Sequence, residues 1–214
     1  MASRLTTSSY AVLSLLAIRS WSGYELTQQA TRSLRFAWPK SERLLYSEPK
    51  KLVAHGLVTA HDEQVGGRQR TVYTITDQGR EALSAWMATE PDPPVLEAEA
   101  LLRVLFADHG SVDDALGALG KLAADAVEAY EQVHEINVGY LAGSHPFPDR
   151  VHLSALFATF QLELFDLIRR WADFARAEIE AWPTTEGLGM DDRTREILEL
   201  IEERRSLLES HSSL

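Results

Sequence analysis

"LLYSEPKKLVAHGLV", residues 44–58, decides how this 214-residue chain reads. Its apolar spacing is that of an amphipathic helix that stops at Gly56. Pro49 interrupts it: inside a helix, proline removes one backbone hydrogen bond and crowds the carbonyl four residues back, at about 3 kcal/mol. On a wheel of ~100° per residue, Leu45, Pro49, Leu52 and Val53 share one arc. Lys40, Arg43, Ser47, Lys50 and Lys51 lie opposite, with Tyr46 at the flank. One face is expected to pack inward while the other presents cations and small polar groups. Two outcomes are open for Pro49: a kink or tightened turn near Leu45, or a fresh start in which Ser47 caps and Pro49 sits in a tolerant first turn.

The neighbouring segments extend this reading. Thr6-Thr7-Ser8-Ser9 offers N-caps to a helix carrying Val12, Leu13, Leu15, Leu16 and Ile18. Ser22 caps a second helix that starts at Gly23 and carries Tyr24, Leu26 and Ala30, and Ser41 opens the third. Leu57–Asp62 and Thr71–Thr76 read as two strands joined by "QVGGRQR", whose glycines permit a tight hairpin. Thr76 or Asp77 then caps a further helix. The order is helix, helix, helix, hairpin, helix. "TEPDPP" (residues 89–94) is the clearest boundary, because three prolines in six residues cannot continue a helix. Beyond it, helices are expected at about 95–108, 112–142, 150–182 and 191–210.

The net charge of −11 is unevenly divided. Residues 1–90 hold 11 Lys+Arg against 8 Asp+Glu, a net +3, and residues 91–214 hold 10 against 24, a net −14. Phosphate attraction acts locally, within a Debye length of about 8–10 Å, so the total does not exclude a nucleic-acid partner. An acidic helical half that only confers solubility is the other reading. With 45% hydrophobic and 25% charged residues, the composition excludes a disordered or fibrous chain. Without cysteine there is no disulfide, zinc-thiolate site or cysteine nucleophile. No uninterrupted apolar run approaches the ~20 residues of a membrane span, and the N-terminal stretch lacks a small-residue cleavage site. No membrane partner and a cytoplasmic location are expected.

A cationic helix face followed by an Arg-Gln-Arg hairpin tip has a physical use. An α-helix fits the major groove of B-DNA, and a hairpin can lie beside it along the backbone or in the minor groove. The bland alternative is a solvated surface.

Taken together, these residues resemble the PadR family of winged-helix transcriptional regulators. The likeness covers residues of about 9–90. "AVLSLLAIRSWSGYELTQQ" is similar to the family's opening helix and the Gly-Tyr-Glu-Leu start of its second. "SERLLYSEPKKLVAHGLV" is similar to its recognition helix and the turn into the wing. "GGRQRTVYTITDQGREAL" is similar to its wing and following helix. Pro49 stands where many members have a core leucine, and Ser47 where many have proline. The resemblance implies DNA-contacting roles for Arg43, Tyr46, Lys50 and Lys51 on the helix and for Arg68 and Arg70 on the wing; Lys40 and Ser47, on the same outer side of the wheel, are further DNA-binding candidates. Tyr24 is a phosphate contact or a boundary-layer aromatic. Gly56, Tyr73 and Gly79 read as structural.

The fold expected is mainly α. Residues 1–90 form an N-terminal winged helix-turn-helix domain with a two-stranded hairpin wing. Residues 91–214 form an all-α dimerisation domain with long helices. Apolar residues at three and four from Leu153 to Phe174 make one helix too long for a small domain to bury, which points to assembly between chains. The resemblance implies a homodimer on double-stranded DNA. It also implies a small aromatic or hydrophobic effector near Trp86, Phe106, Phe157, Phe160 and Trp171; core or dimer packing is the alternative for those aromatics. The functional reading is a ligand-responsive repressor acting as a homodimer on a palindromic operator. The alternative is a winged-helix adaptor that docks a protein. No catalytic residue, metal or cofactor is expected: "HEINV" (His134–Val138) starts like a zinc-protease motif, but Val138 stands where the second histidine belongs.

Overall fold

The structure is a computed structural model. It describes residues 4–38 and 41–211, with the side chains of Glu42, Val65, Arg68 and residues 206–211 outside that description. The chain falls into two compact units, Met1–Val95 and Leu96–Leu214.

The first unit begins with α1 (Thr7–Ile18), capped by the Thr6 hydroxyl, while the Thr6 backbone N–H donates to the Ser9 hydroxyl oxygen. Val12, Leu13, Leu15 and Leu16 are buried on it. The chain then makes a two-residue strand, β1 (Trp21–Ser22), that the sequence did not announce. Trp21 is anchored there by donating its indole N–H to the Leu15 carbonyl at 2.8 Å. α2 (Gly23–Leu34) starts on a Ser22/Glu25 capping box, and α3 (Glu42–Ala54) starts on Ser41, as expected from their caps.

α3 runs unbroken across Pro49. Of the two outcomes open for this proline, a fresh cap at Ser47 is not the one adopted. The Ser47 hydroxyl instead donates back to the Leu44 carbonyl at 2.9 Å. The Pro49 ring is among the most deeply buried side chains, beside Leu52 in the same core. Its burial offsets the hydrogen bond that its missing N–H denies to the Leu45 carbonyl.

The wing is longer than the sequence implied. β2 (Val58–Val65) and β3 (Arg68–Ile75) pair antiparallel and are joined by Gly66–Gly67 alone. Both glycines have positive φ, +59° and +78°, which a two-residue hairpin turn of the favoured hand requires. Arg68, Gln69 and Arg70 are therefore strand residues and not a loop tip. Polar cross-strand bonds carry the strands out this far: Gln69 and Thr71 both donate to Asp62, at 2.9 and 2.8 Å. β1 adds to the other side of β3, with Trp21 opposite Tyr73, so the sheet has three strands in the order β1-β3-β2.

α4 (Asp77–Met87) is capped by Thr76, whose hydroxyl also donates to the Gly56 carbonyl at 2.9 Å. A Cβ at Gly79 would lie 2.2 Å from the Leu57 carbonyl oxygen, so only glycine lets α4 close onto the start of the wing.

The second unit contains α5 (Glu99–Leu105), α6 (Val112–Leu141), α7 (Val151–Glu180) and α8 (Asp192–His211). α6 and α7 have 30 residues each, about 45 Å at 1.5 Å per residue, and pack against one another. Alanines make much of their buried seam: Ala115, Ala126 and Ala129 on α6, and Ala158, Ala172 and Ala175 on α7. Small residues inside leave the large apolar ones outside. Leu153, Leu156, Phe160, Leu167 and Phe174 of α7 are all exposed. In consequence the helix Pro148–Glu180 is long and apolar enough to cross a membrane by length and composition alone, although polar residues interrupt it and no unbroken apolar run exists.

Candidate nucleic-acid interface

α3 presents its outer face as the wheel requires, with two exceptions. Arg43, Tyr46, Ser47 and Lys50 are exposed on one side, and Leu45, Pro49 and Leu52 are buried on the other. Val53 was assigned inward but is 36% exposed, because it sits at the edge of the buried arc. Lys51 was assigned outward but turns in: its Nζ donates to Ser9 Oγ at 3.1 Å and lies 3.8 Å from Glu48. Glu48, which the sequence reading passed over, is 5% exposed and accepts a 2.6 Å hydrogen bond from Ser9. Lys40 lies outside the described residues.

Neither Arg43 nor Lys50 has an ion-pair partner among the described residues. Tyr46 lies over the start of α2, with two ring carbons 3.9 Å from where a Gly23 Cβ would sit. Tyr24, on the first turn of α2, is 65% exposed. Arg19, which the sequence reading did not single out, stacks its guanidinium 3.6 Å over the Trp21 ring beside that turn. A basic residue two before a buried tryptophan is too common a pattern to have flagged it.

On the wing, Arg70 is engaged by its own chain. Its Nη2 donates to Glu63 at 3.1 Å, and its Nη1 lies 3.8 Å from Glu25. The His61 ring and the Arg70 guanidinium hold the Glu63 carboxyl below the usual carboxylate range. Hydrogen bonds from the Ser22 hydroxyl and backbone do the same to Glu25. Arg68 lies in β3 opposite Val65, next to the turn, with its side chain outside the description.

Residues 12–85 match the family described as the transcriptional regulator PadR-like family. The negative transcriptional regulator PadR of Bacillus subtilis (strain 168) is 31% identical over 99 residues, which are 45% of this chain and 54% of that protein. The chain thus spans about half the length of that curated relative. The crystal structure of Bacillus subtilis PadR in complex with operator DNA matches 81% of this chain and 99% of its own, at 25% identity and a TM-score of 0.67. Residues 12–85 thus resemble the PadR-like family, and the fold resembles that of the Bacillus protein. The same Bacillus protein in complex with p-coumaric acid matches at a TM-score of 0.60, again at 25% identity, over 80% of this chain and 98% of that one.

The aromatics assigned to an effector fall in both units. Trp86 belongs to the first unit, where it stacks on Tyr10 at 4.9 Å with the rings 4° apart. Phe106 ends α5 and is 56% exposed. Phe157 and Phe160 lie on the exposed side of α7. Trp171 packs against the core of Ala115, Leu119, Ala172 and Ile179. A cavity of about 300 Å³ lies elsewhere, among α1, α2 and α3, lined by Ala11, Ala30, Leu34, Trp38 and Leu45 and bordered by Arg35.

Proposed function

We propose that this PadR-like protein is a transcriptional repressor that reads a palindromic operator as a homodimer. The observation that carries the reading is the outer face of α3, where Arg43, Tyr46, Ser47 and Lys50 stand exposed while the opposite side is core. This helix enters the major groove, with Tyr46 and Ser47 toward base edges and Arg43 and Lys50 toward phosphates. Arg68 and Arg70 serve the wing's contact with the backbone. Tyr24 and Arg19 take a phosphate at the start of α2. The net positive charge of residues 1–90 favours this unit over the acidic remainder as the DNA-facing one.

A second copy covers the exposed apolar stripe of α7. Leu153, Phe160, Leu167 and Phe174 recur every seven residues, the spacing of a helix seam. Pairing through it supplies the two recognition helices that half-sites one DNA turn apart require, about 34 Å. That partner, rather than a bilayer, accounts for the apolarity of α7, and the protein works in the cytoplasm. A small aromatic acid releases the repressor, with Trp86, Phe106, Phe157, Phe160 and Trp171 as the candidate contacts. The p-coumaric acid bound by the Bacillus relative makes it the first compound to try.

Fluorescence anisotropy with duplex fragments retained from the source genome tests the reading. Binding should weaken by orders of magnitude between ~50 and ~200 mM salt, as it does when several phosphates are neutralised. Micromolar or weaker binding that ignores both salt and sequence would remove the proposal.

A further inference from the structure

A carboxylate buried in the middle of a DNA-reading helix needs an explanation. Glu48 is 5% exposed and lies on the core side of α3, one residue before the buried Pro49. An apolar residue there would complete the core without desolvating a charge. Instead Glu48 accepts a 2.6 Å hydrogen bond from Ser9, which is itself fully buried on α1.

Ser9 is saturated by its surroundings. Its single O–H goes to Glu48, while its oxygen accepts from the Thr6 backbone N–H at 3.0 Å and from Lys51 Nζ at 3.1 Å. The same hydroxyl therefore closes the cap of α1 and ties α1 to α3. A directional bond of this kind fixes the roll of a helix, which apolar contacts alone leave adjustable. It also sets the place of Lys51. That ammonium sits at the boundary between the two faces of α3 and is drawn to Glu48, 3.8 Å away, with its side chain 19% exposed.

We propose that Glu48 is a positioning residue: through Ser9 it sets the roll of α3, and through Lys51 it withholds one cation from DNA, so that it serves sequence discrimination and not stability. The inference rests on the DNA-reading role proposed above. A cation free to reach any phosphate strengthens binding to every sequence alike and leaves the ratio of specific to non-specific affinity unchanged, so the salt slope reads the Lys51 arm and the ratio reads the roll of α3.

The test uses the full-length protein and two duplexes, one selected from a random-sequence library by the parent protein and one with the same bases shuffled. Three quantities are read: the melting temperature, the ratio of affinities for the two duplexes, and the salt slope on the shuffled duplex. Glu48→Met should melt at or above the parent. Its shuffled-duplex slope should steepen by about 0.9, the value of one added phosphate contact. The affinity ratio should fall by about tenfold, the size of one misread base pair. Adding Lys51→Met should return the slope to the parental value without restoring the ratio. Glu48→Gln keeps an acceptor for Ser9 and loses the charge, so it should steepen the slope yet retain most of the ratio. If Glu48→Met does not fold, Glu48→Gln decides by its slope. An unchanged slope and ratio in a parent that discriminates well would overturn this inference alone. A parent that binds both duplexes equally would overturn the DNA-reading role and this inference with it.

Discussion

The Arg70 guanidinium lies across the wing from the Glu63 carboxylate, 3.1 Å away, in directly opposed positions of β3 and β2. Arg70 is thus already partly neutralised by its own chain, which opposes the backbone contact proposed for it. Both side chains are well exposed, so the pair contributes little to folding. Glu63→Gln should leave the melting temperature nearly unchanged and tighten DNA binding by about two- to fivefold at low salt, an exposed pair's worth. The gain should vanish as salt rises. Anisotropy titrations at two salt concentrations check this, and weaker binding by the variant would refute it.

Lys50 and Lys51 are adjacent in sequence but not in role. Lys50 is exposed, with no ion-pair partner among the described residues, whereas Lys51 is bonded to Ser9. Lys50→Ala should reduce affinity for all duplexes and lower the salt slope by about 0.9, with the melting temperature intact. Lys51→Ala should do the reverse, lowering the melting temperature because it strips a partner from buried Glu48, with little change in slope. Parallel thermal and binding measurements on the two variants separate these outcomes.

Much of this arrangement was legible in residue order. The caps Thr6, Ser22, Ser41 and Thr76 fall where serine and threonine precede apolar spacing, because a side-chain acceptor is needed where backbone donors have none. The inner and outer faces of α3 follow from the helical period. What the sequence did not reveal depends on partners distant in the chain. Glu48 is buried only because Ser9, 39 residues earlier, meets it. β1 is two residues long and has no alternation to read; it exists because β3 offers it an open edge. The wing outgrew its expected limits because Asp62, Gln69, Thr71 and the Glu63–Arg70 pair bond across it, and β propensity alone undervalues such polar residues.

Gly79 admits no side chain. Its Cβ would lie 2.2 Å from the Leu57 carbonyl oxygen and 2.8 Å from Ile75, and a backbone atom cannot step aside as a flexible side chain does. Gly79→Ala should cost about 1–3 kcal/mol, the range of core overpacking. Chemical denaturation would show this as a lower midpoint at an unchanged m-value. DNA affinity measured well below the midpoint should change little, because the substitution lies away from the outer face of α3.

The Glu25 cap has a defined acid limit. Bonds from Ser22 hold its carboxyl below the usual glutamate range. A group whose pKa is depressed on folding adds stability above its unfolded pKa, and that stability is lost as pH falls through the folded value. Melting temperature should therefore decline from about pH 4.5 downward in the parent. Glu25→Gln keeps the capping-box geometry but cannot titrate, so its decline over the same window should be shallower. Identical profiles for the two proteins would contradict the assignment.

The α7 stripe separates a lone chain from a paired one. Leu156 is 72% exposed and Phe160 is 60% exposed in the single chain, so replacing them there removes almost no packing. In a lone protomer, Leu156→Glu and Phe160→Glu would be neutral or would improve solubility. In a dimer closed over this stripe, each places two carboxylates, one per copy, into an apolar seam with no cation to pair them, and desolvation opposes association. The double variant should sediment as a monomer of 23.9 kDa with its helical content preserved. Its operator affinity should fall by about 10²-fold or more, because the two recognition helices no longer act as one bivalent reader. Binding to a single half-site at low salt should survive, since α3 and the wing are untouched. A double variant that sediments like the parent would place the partner surface elsewhere on the second unit.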